Sequence, residues 1–212
     1  NPWSQFRKPF TIDEVLASPP ITYPITLPMC APLSDGAAAA ILCTEEGLKR
    51  IGADKSRCIK ISASVLRSFS PRRIDQPELH VGRLAAQQAY EIAGLGPQDM
   101  HVAEVHDASA MGEIIQAENL GLVELGMGGP AAERGEFTIG GRIPINPSGG
   151  LESKGHPIGA TGIGQLYELV TQLRGEAGAR QVEGARHAIQ ENGGGMQGVE
   201  EAAVAIHILS KS

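Results

Sequence analysis

The sequence predicts an α/β fold, in which strands alternate with helices. From residue 58 onward, apolar runs with a period of two alternate with runs that keep helical spacing. A chain of 212 residues with 42% hydrophobic content can also bury a substantial core. The third observation is a glycine-rich loop that leads directly into an apolar helix. Strands that alternate with helices imply a sheet covered by helices on both faces.

The first thirty or so residues are irregular and rich in proline. A short helix is predicted over residues 11–16, because Thr11 and Glu14 have the spacing of a capping box. Small apolar residues at 36–43 predict a buried strand. A helix over 44–51 and a polar linker at 52–56 follow it.

The remaining residues predict a second α/β unit. Residues 58–66 alternate in polarity, which is typical of a strand, and Cys43 and Cys58 are interpreted as core residues of their two strands. Ala85, Ala89 and Ile92 keep helical spacing. The other predicted elements are helices at 82–92, 110–119 and after Gly162, strands at 102–105, 186–190 and 202–209, and a loop at 121–144.

Composition excludes several function classes. The net charge is -6, and the one basic cluster is Arg67, Arg72 and Arg73. We interpret this cluster as a solvated loop, with a phosphate-binding patch as the alternative. Only 4% of residues are aromatic, so no nucleic-acid partner is expected. Three unevenly spaced cysteines suit neither a disulfide framework nor a metal site, and a cytoplasmic location is expected.

No stretch reaches the roughly 18 apolar residues of a membrane span, and no signal peptide is evident. The absence of an initiator methionine fits a sequence that begins in the middle of a protein.

One histidine, His156, lies in the glycine-rich loop, which reads NPSGGLESKGHPIGATG from Asn146. The backbone amides of residues 159–162 are expected to point, unpaired, towards it from the start of a helix. Their positive potential disfavours a protonated imidazole. A neutral histidine there can accept a proton from a nucleophile and donate a hydrogen bond to an oxyanion. The alternative is an ordinary helix entry that contains a satisfied histidine.

This run resembles the histidine motif of the thiolase superfamily. Three further stretches agree with the family in order: SDGAAAA from Ser34, VHDA from Val105 and ENGGG from Glu191. The match is closest to the sterol-carrier-protein-thiolase, or lipid-transfer-like, branch. The resemblance implies the layered α/β/α/β/α thiolase fold, of which this chain is roughly the second half. Residues 1–53 would be the tail of the N-terminal domain, and residues 54–212 the C-terminal domain.

The resemblance also implies catalytic roles for particular residues. His156 matches the activating histidine, and the N–H of Gly193 matches the group that completes the second oxyanion hole. His106 stands where the family fixes an oxyanion-hole water; alternatively, His106 and Asp107 cap the strand end and the next helix. The nucleophilic cysteine of the family lies in the N-terminal half, outside this chain.

Two departures from the family pattern concern the second proton transfer. Ala108 stands where the sterol-carrier branch has a cysteine, and Glu191 stands where ordinary thiolases have one. Glu191 could act as a base if burial raises its pKa. It could equally be a strut that supports the loop at Gly193.

The coenzyme A thioester is expected as the substrate, with no resident cofactor and no metal. Cys30 and Ala31 fall where the pantetheine-facing loop of the family lies. Ser148 and Gly149 form the turn before the histidine loop, which is interpreted as structural and near the substrate. Lys154 is interpreted as solvated, with a phosphate contact as the alternative.

Three functions follow from the resemblance. The first is acyl transfer on acyl-coenzyme A thioesters, in lipid metabolism. The second is an aldol-type carbon–carbon lyase on sterol or aromatic side-chain thioesters, with a small OB-fold partner protein. The third is a non-catalytic carrier of acyl-coenzyme A or lipid. The expected partners are an N-terminal thiolase half and further copies of the protein.

Overall fold

The computed structural model describes residues 1–211, which form a mixed sheet with helices on both faces. The helices are α1 (Ile12–Leu16), α2 (Glu45–Ile51), α3 (Val81–Ala93), α4 (Ala110–Asn119), α5 (Gly128–Glu133), α6 (Gly150–Lys154) and α7 (Thr161–Arg174). The strands are β1 (Pro20–Thr22), β2 (Ile25–Thr26), β3 (Ile59–Ser68), β4 (Val102–Glu104), β5 (His187–Gly194) and β6 (Ala203–Lys211).

The main sheet has four strands in the order β3-β6-β5-β4. Strand β6 runs antiparallel to both β3 and β5, whereas β4 and β5 are parallel. Strands β1 and β2 form a separate two-stranded sheet. The parallel pairing places the end of β4 beside the middle of β5, where Glu104 pairs with Gln190. The VHDA motif that follows β4 and the ENGGG motif that begins in the second half of β5 are therefore neighbours.

Alternate residues of the sheet face two different apolar cores. Ile189 of β5 packs in the same core as Ala85 and Ala89 of α3. The adjacent Ala188 packs with Leu169 and the rest of the apolar stripe of α7 on the opposite face. Residues with a period of two thus contact helices on both sides. The sheet and its helices form three layers, α/β/α, as the alternation of elements predicts.

The predicted strand at 36–43 is wrong. Residues 31–44 contain no strand, and Ile41 and Leu42 are 90% and 70% exposed. An apolar strand needs neighbouring strands to pair its backbone groups, and within residues 1–211 this segment meets none. Cys43 is accordingly exposed, and Cys58 is half-buried just before β3, so neither belongs to the core.

Two smaller expectations also fail. The loop predicted at 121–144 contains α5. Arg72, assigned to a solvated loop, has a side chain only 8% exposed, with its Nε 2.6 Å from Oε2 of the buried Glu200. A charged side chain becomes buried where a carboxylate is available to pair with it, and this partner lies 128 residues away in sequence.

The N-terminal segment lies against the motif loops. Thr11 and Glu14 form the predicted capping box of α1. The amide of Phe6 donates to the carbonyl of Ser153, and the amide of His156 donates to the carbonyl of Pro32. These bonds hold the N-terminal segment beside the glycine-rich loop. Among the helices described in residues 1–211, none has the length and hydropathy to cross a membrane.

Candidate active site

Two histidines from different motifs meet at the end of the sheet. His106 lies just beyond β4, and His156 lies in the loop before α7. Their Nε2 atoms are 3.3 Å apart, and their rings meet edge to face at 78° with centroids 4.9 Å apart. Both side chains are half-buried. The structure thus brings together the two histidines that the sequence analysis singled out.

Both histidines favour the neutral form. Burial lowers the pKa of His156. Burial also lowers the pKa of His106, and the neighbouring His156 lowers it further, while Glu201 opposes the shift. Desolvation disfavours the imidazolium ion, and two adjacent rings cannot easily both be charged. The site therefore holds two uncharged imidazoles near neutral pH.

Thr161 assigns the tautomer of His156. Its Oγ1 lies 2.7 Å from Nδ1 of His156, and the same hydroxyl donates to the carbonyl of Pro157 at 3.3 Å. Because its one proton is used there, the oxygen accepts from Nδ1, which carries the proton of the neutral ring. Nε2 of His156 is then unprotonated and faces His106. This nitrogen is available to accept a proton.

The sequence analysis expects the backbone amides of residues 159–162 to be unpaired, but two of them have hydrogen-bond partners. Those of Ala160 and Thr161 both donate to the carbonyl of Pro157, at 2.7 and 3.0 Å. The carbonyl of Pro157 can accept both bonds because residues 158–160 form a tight turn. The prediction that every amide of residues 159–162 is unpaired is therefore wrong.

Glu191 is fully buried behind His106. Its Oε2 accepts a hydrogen bond from the backbone amide of His106 at 2.9 Å. Its Oε1 is buried and has no partner among the described residues. Burial raises the pKa of Glu191 to about 8, with the charge of Glu201 adding to the shift and the amides of His106 and Gly193 opposing it. Glu191 thus contacts the backbone that carries His106, as a strut would.

Gly193 lies in β5, two residues after Glu191. A Cβ at this position would come within 2.7 Å of Cγ of Glu201 and 3.2 Å of Oε1 of Glu191. The absence of a side chain therefore lets two carboxyl groups approach the strand. Its predicted role in an oxyanion hole remains a prediction.

Asp107 does not cap the helix that follows it. The N-cap residue of α4 is Ser109, and Oδ1 of Asp107 instead accepts from the amide of Leu151 at 2.8 Å. Gly150 makes this possible, because its φ is +59° and a Cβ there would overlap the Asp107 carboxylate. Burial raises the pKa of Asp107 well above its usual range. The part of the alternative in which Asp107 caps the following helix is therefore wrong.

The turn before the histidine loop is anchored to a buried carboxylate. Ser148 is fully buried, and both its amide and its hydroxyl donate to Glu104, at 3.2 and 2.8 Å. Gly149, at φ +103°, is the exposed corner of this turn. Nζ of Lys154 lies 3.3 Å from the same carboxylate. Lys154 is 23% exposed, so the interpretation of a solvated lysine is wrong.

Cys30 and Ala31 lie beside the His106 motif. Cys30 forms an isolated antiparallel bridge with Ser109, and the amide of Ala31 donates to the carbonyl of Ala108 at 3.0 Å. An open groove of about 680 Å³ lies beside the histidine loop. It is lined by Trp3, Gln5, Leu33, Ser34, Asp35, Lys154, His156 and Ile158.

Several residues that shape the site were missed by the sequence analysis. Asn146 has a φ of +50°; its Oδ1 accepts from the amide of Val105, and its Nδ2 donates to Glu113. Burial raises the pKa of Glu113 to about 7. The Asn–Pro sequence was a turn signal for Asn146.

Glu201 carried no signal, because its partner Gln116 lies 85 residues away in the sequence. Thr161 lies within the histidine motif, five residues after His156, but the sequence pattern alone does not show that its hydroxyl meets the ring.

Comparison with known proteins identifies the family. Residues 70–210 match the family model "Thiolase C-terminal domain-like". The chain therefore belongs to the thiolase superfamily, and its matched region is a thiolase C-terminal domain. Within the superfamily, its relatives include Sterol carrier protein 2 of Oryctolagus cuniculus, 46% identical over 198 residues. That match covers 91% of this chain and 36% of the relative.

A second relative, Acetyl-CoA acetyltransferase of Methanothermobacter thermautotrophicus, is 43% identical over 212 residues, which is 100% of this chain and 54% of the relative. The chain thus spans about half or less of the length of these relatives. A solved structure titled "Ltp2-ChsH2(DUF35) aldolase" matches with a TM-score of 0.76 at 22% identity, over 96% of this chain and 52% of that chain. It supports the same fold.

Proposed function

We propose that this chain supplies the histidine pair and an oxyanion-binding element of a thiolase-type active site that transfers acyl groups of coenzyme A thioesters. The observation that carries the proposal is the contact between His106 and His156, with Nε2 atoms 3.3 Å apart. In the proposed reaction, Nε2 of His156 accepts the proton of a thiol nucleophile. The thiolate would come from a part of the protein outside this chain.

The surroundings of the pair support this division of roles. The Nδ1 proton of His156 is directed at Thr161, which leaves Nε2 as the basic atom. Nε2 of His106 then carries a proton that can be donated to a developing oxyanion. Glu191 fixes the backbone of His106 through its amide. The ring of His156 and the backbone of His106 are thus held in place before substrate binds.

A lyase of aldol type is the second candidate. Ala108 and Glu191 stand where thiolase branches have cysteines, so the two usual carriers of the second proton transfer are absent from those positions. A lyase needs a stabilised enolate but no acylated cysteine, and we propose a small OB-fold protein as its partner. A carrier of acyl-coenzyme A is the remaining alternative.

The test measures release of free coenzyme A from acetyl-coenzyme A by the complete polypeptide. The variant His156→Ala should lose at least about a hundredfold in rate, because one residue serves as both base and oxyanion donor. His101→Ala, at the other end of β4, is the matched control. Normal turnover by His156→Ala would overturn the proposal. Cleavage of β-hydroxyacyl thioesters without acyl transfer would favour the lyase, and tight binding without turnover would favour the carrier.

A further inference from the structure

The end of β4, which leads to His106, and the loop that leads to His156 lie side by side. They are joined first by a backbone ladder, in which the amide of Ala103 donates to the carbonyl of Pro144 at 3.0 Å. The amide of Asn146 donates in turn to the carbonyl of Ala103 at 2.8 Å. Nearer the histidines, side-chain oxygens replace the backbone carbonyls as acceptors.

Two of these side chains accept from backbone amides of the facing segment. Oδ1 of Asn146 accepts from the amide of Val105 at 2.8 Å, and Oδ1 of Asp107 accepts from the amide of Leu151 at 2.8 Å. The bonded residues are 41 and 44 positions apart in the sequence. Each bond joins one motif to the other, so the two motifs are held in a defined relative position.

Glu104, the last residue of β4, holds both ends of the helix that leads into the histidine loop. Its side chain is fully buried. Oε1 accepts from the amide of Ser148 at 3.2 Å, and Oε2 accepts from the hydroxyl of Ser148 at 2.8 Å. Oε2 also lies 3.3 Å from Nζ of Lys154. Ser148 lies just before α6 and Lys154 ends it, so one carboxyl group fixes both ends of α6 against β4.

Every group that contacts this carboxyl group is a hydrogen-bond donor. Burial raises the pKa of Glu104, whereas Lys154 and Ser148 oppose the rise. A buried carboxyl group that loses a donor is left with an unsatisfied oxygen, which is costly in the interior of a protein. Loss of the Lys154 ammonium group should therefore displace α6 from β4.

The carboxyl group is close in sequence to both histidines through its two partners. His106 is two residues after Glu104, and His156 is two residues after Lys154. The backbone amides of the histidines bond elsewhere, to a side chain of β5 and to the N-terminal segment. Those bonds hold each histidine to its own surroundings, whereas Glu104 joins one motif to the other. The 3.3 Å contact between the two Nε2 atoms therefore depends on how α6 lies against β4.

We propose that Glu104, with Lys154 as its partner, is a positioning residue that sets the separation of His106 and His156. Lys154 also borders the open groove beside His156, where a phosphate of coenzyme A is the alternative partner for its ammonium group. In the proposal, Lys154 acts through Glu104 and not through a phosphate. The inference rests on the proposed function for its effect on rate, but the geometry of the histidine pair can be measured without substrate.

The first experiment measures the nuclear Overhauser effect between the ring protons of His106 and His156 in the complete polypeptide without substrate. The parent should show a cross-peak, because the ring centroids are 4.9 Å apart. Lys154→Met should weaken this cross-peak, and Lys154→Arg, which keeps a cation, should retain it. Lys60→Met, at an exposed lysine of β3, is the matched control and should leave it unchanged. The test uses Lys154 because its partly exposed side chain can be replaced with less risk to folding than the buried Glu104.

The second experiment separates positioning from phosphate binding by kinetics. With acetyl-coenzyme A, Lys154→Met should lower kcat at least about tenfold at unchanged KM, since a misplacement of about 1 Å can cost about a hundredfold. The loss should be equal with S-acetylpantetheine, which lacks the nucleotide phosphates. Adding Glu104→Gln to Lys154→Met should cost little more than the larger single loss, because the two residues share one contact.

The outcomes that would overturn the proposal are equally definite. They are an unchanged cross-peak in Lys154→Met, a raised KM for acetyl-coenzyme A with kcat unchanged, or additive losses in the double variant. Absence of acyl transfer in the parent would count against the proposed function alone, because the cross-peak is measured without substrate.

Discussion

Replacing Thr161 by valine removes one hydroxyl while keeping the shape of the side chain. The lost contact is the 2.7 Å bond between its Oγ1 and Nδ1 of His156, in a half-buried place. A hydrogen bond of this kind contributes about 1–1.5 kcal/mol net, which corresponds to roughly a tenfold change in rate if it orients the base in the transition state. We therefore expect Thr161→Val to lower kcat/KM about tenfold.

Two assays check this expectation. ¹⁵N chemical shifts of His156 should report protonation at Nδ1 in the parent and a mixture of tautomers in Thr161→Val. The matched control is Thr171→Val, which removes a 2.8 Å bond to the carbonyl of Tyr167 in the same helix, away from the histidines. It should leave both the tautomer and the rate unchanged. An unaltered tautomer in Thr161→Val, or equal losses of activity in the two variants, would refute the reasoning.

Three other predictions concern stability. Gly193→Ala should cost about 1–3 kcal/mol of unfolding free energy, because its Cβ would come within 2.7 Å of a neighbouring carbon, whereas Gly194→Ala meets nothing within 4 Å. In urea denaturation, Arg72→Met should cost about 3–5 kcal/mol by leaving its buried carboxylate unpaired, and the exposed Arg73→Met about 0–1. The pKa of Glu191 is about 8 in the folded protein, above its ordinary 4.5. Between pH 4.5 and 8 the folded state therefore holds a proton that the unfolded state has lost, and the stability of the folded state falls as the pH rises through this range. Glu191→Gln should therefore flatten the decline in Tm between pH 5 and 8; an unchanged slope would contradict the assignment.

Elements with local periodicity could be predicted from the sequence. Helix α3 follows the spacing of Ala85 and Ala89, which pack in the core as expected. The segment with Ile41 and Leu42 could not be predicted, because its composition is that of a buried strand while its exposure depends on which other strands are present. The local sequence pattern indicates which side chains of a segment could be buried. It does not indicate whether another strand or helix is present to cover them.

The candidate site also contains residues that the sequence could predict and residues that it could not. His156 and His106 could be selected because each lies in a motif with its own local chemistry. Their supports could not, because the bond from Glu191 to His106 spans 85 residues and depends on the parallel pairing of β4 with β5. Glu201 is one of 24 acidic residues, and only the fold brings it to Gly193.

The most direct test of the central claim follows the α-protons of acetyl-coenzyme A in deuterated buffer with the complete polypeptide. A thiolase-type site built on His156 should exchange these protons for deuterium. With the usual carriers of the second proton transfer absent, the unprotonated Nε2 of His156 is the base that removes the α-proton, while a hydrogen bond from His106 stabilises the enolate oxygen. We predict exchange in the parent and in His101→Ala, and at least about a hundredfold slower exchange in His156→Ala. Equal exchange in all three proteins, or no exchange in the parent, would contradict the claim.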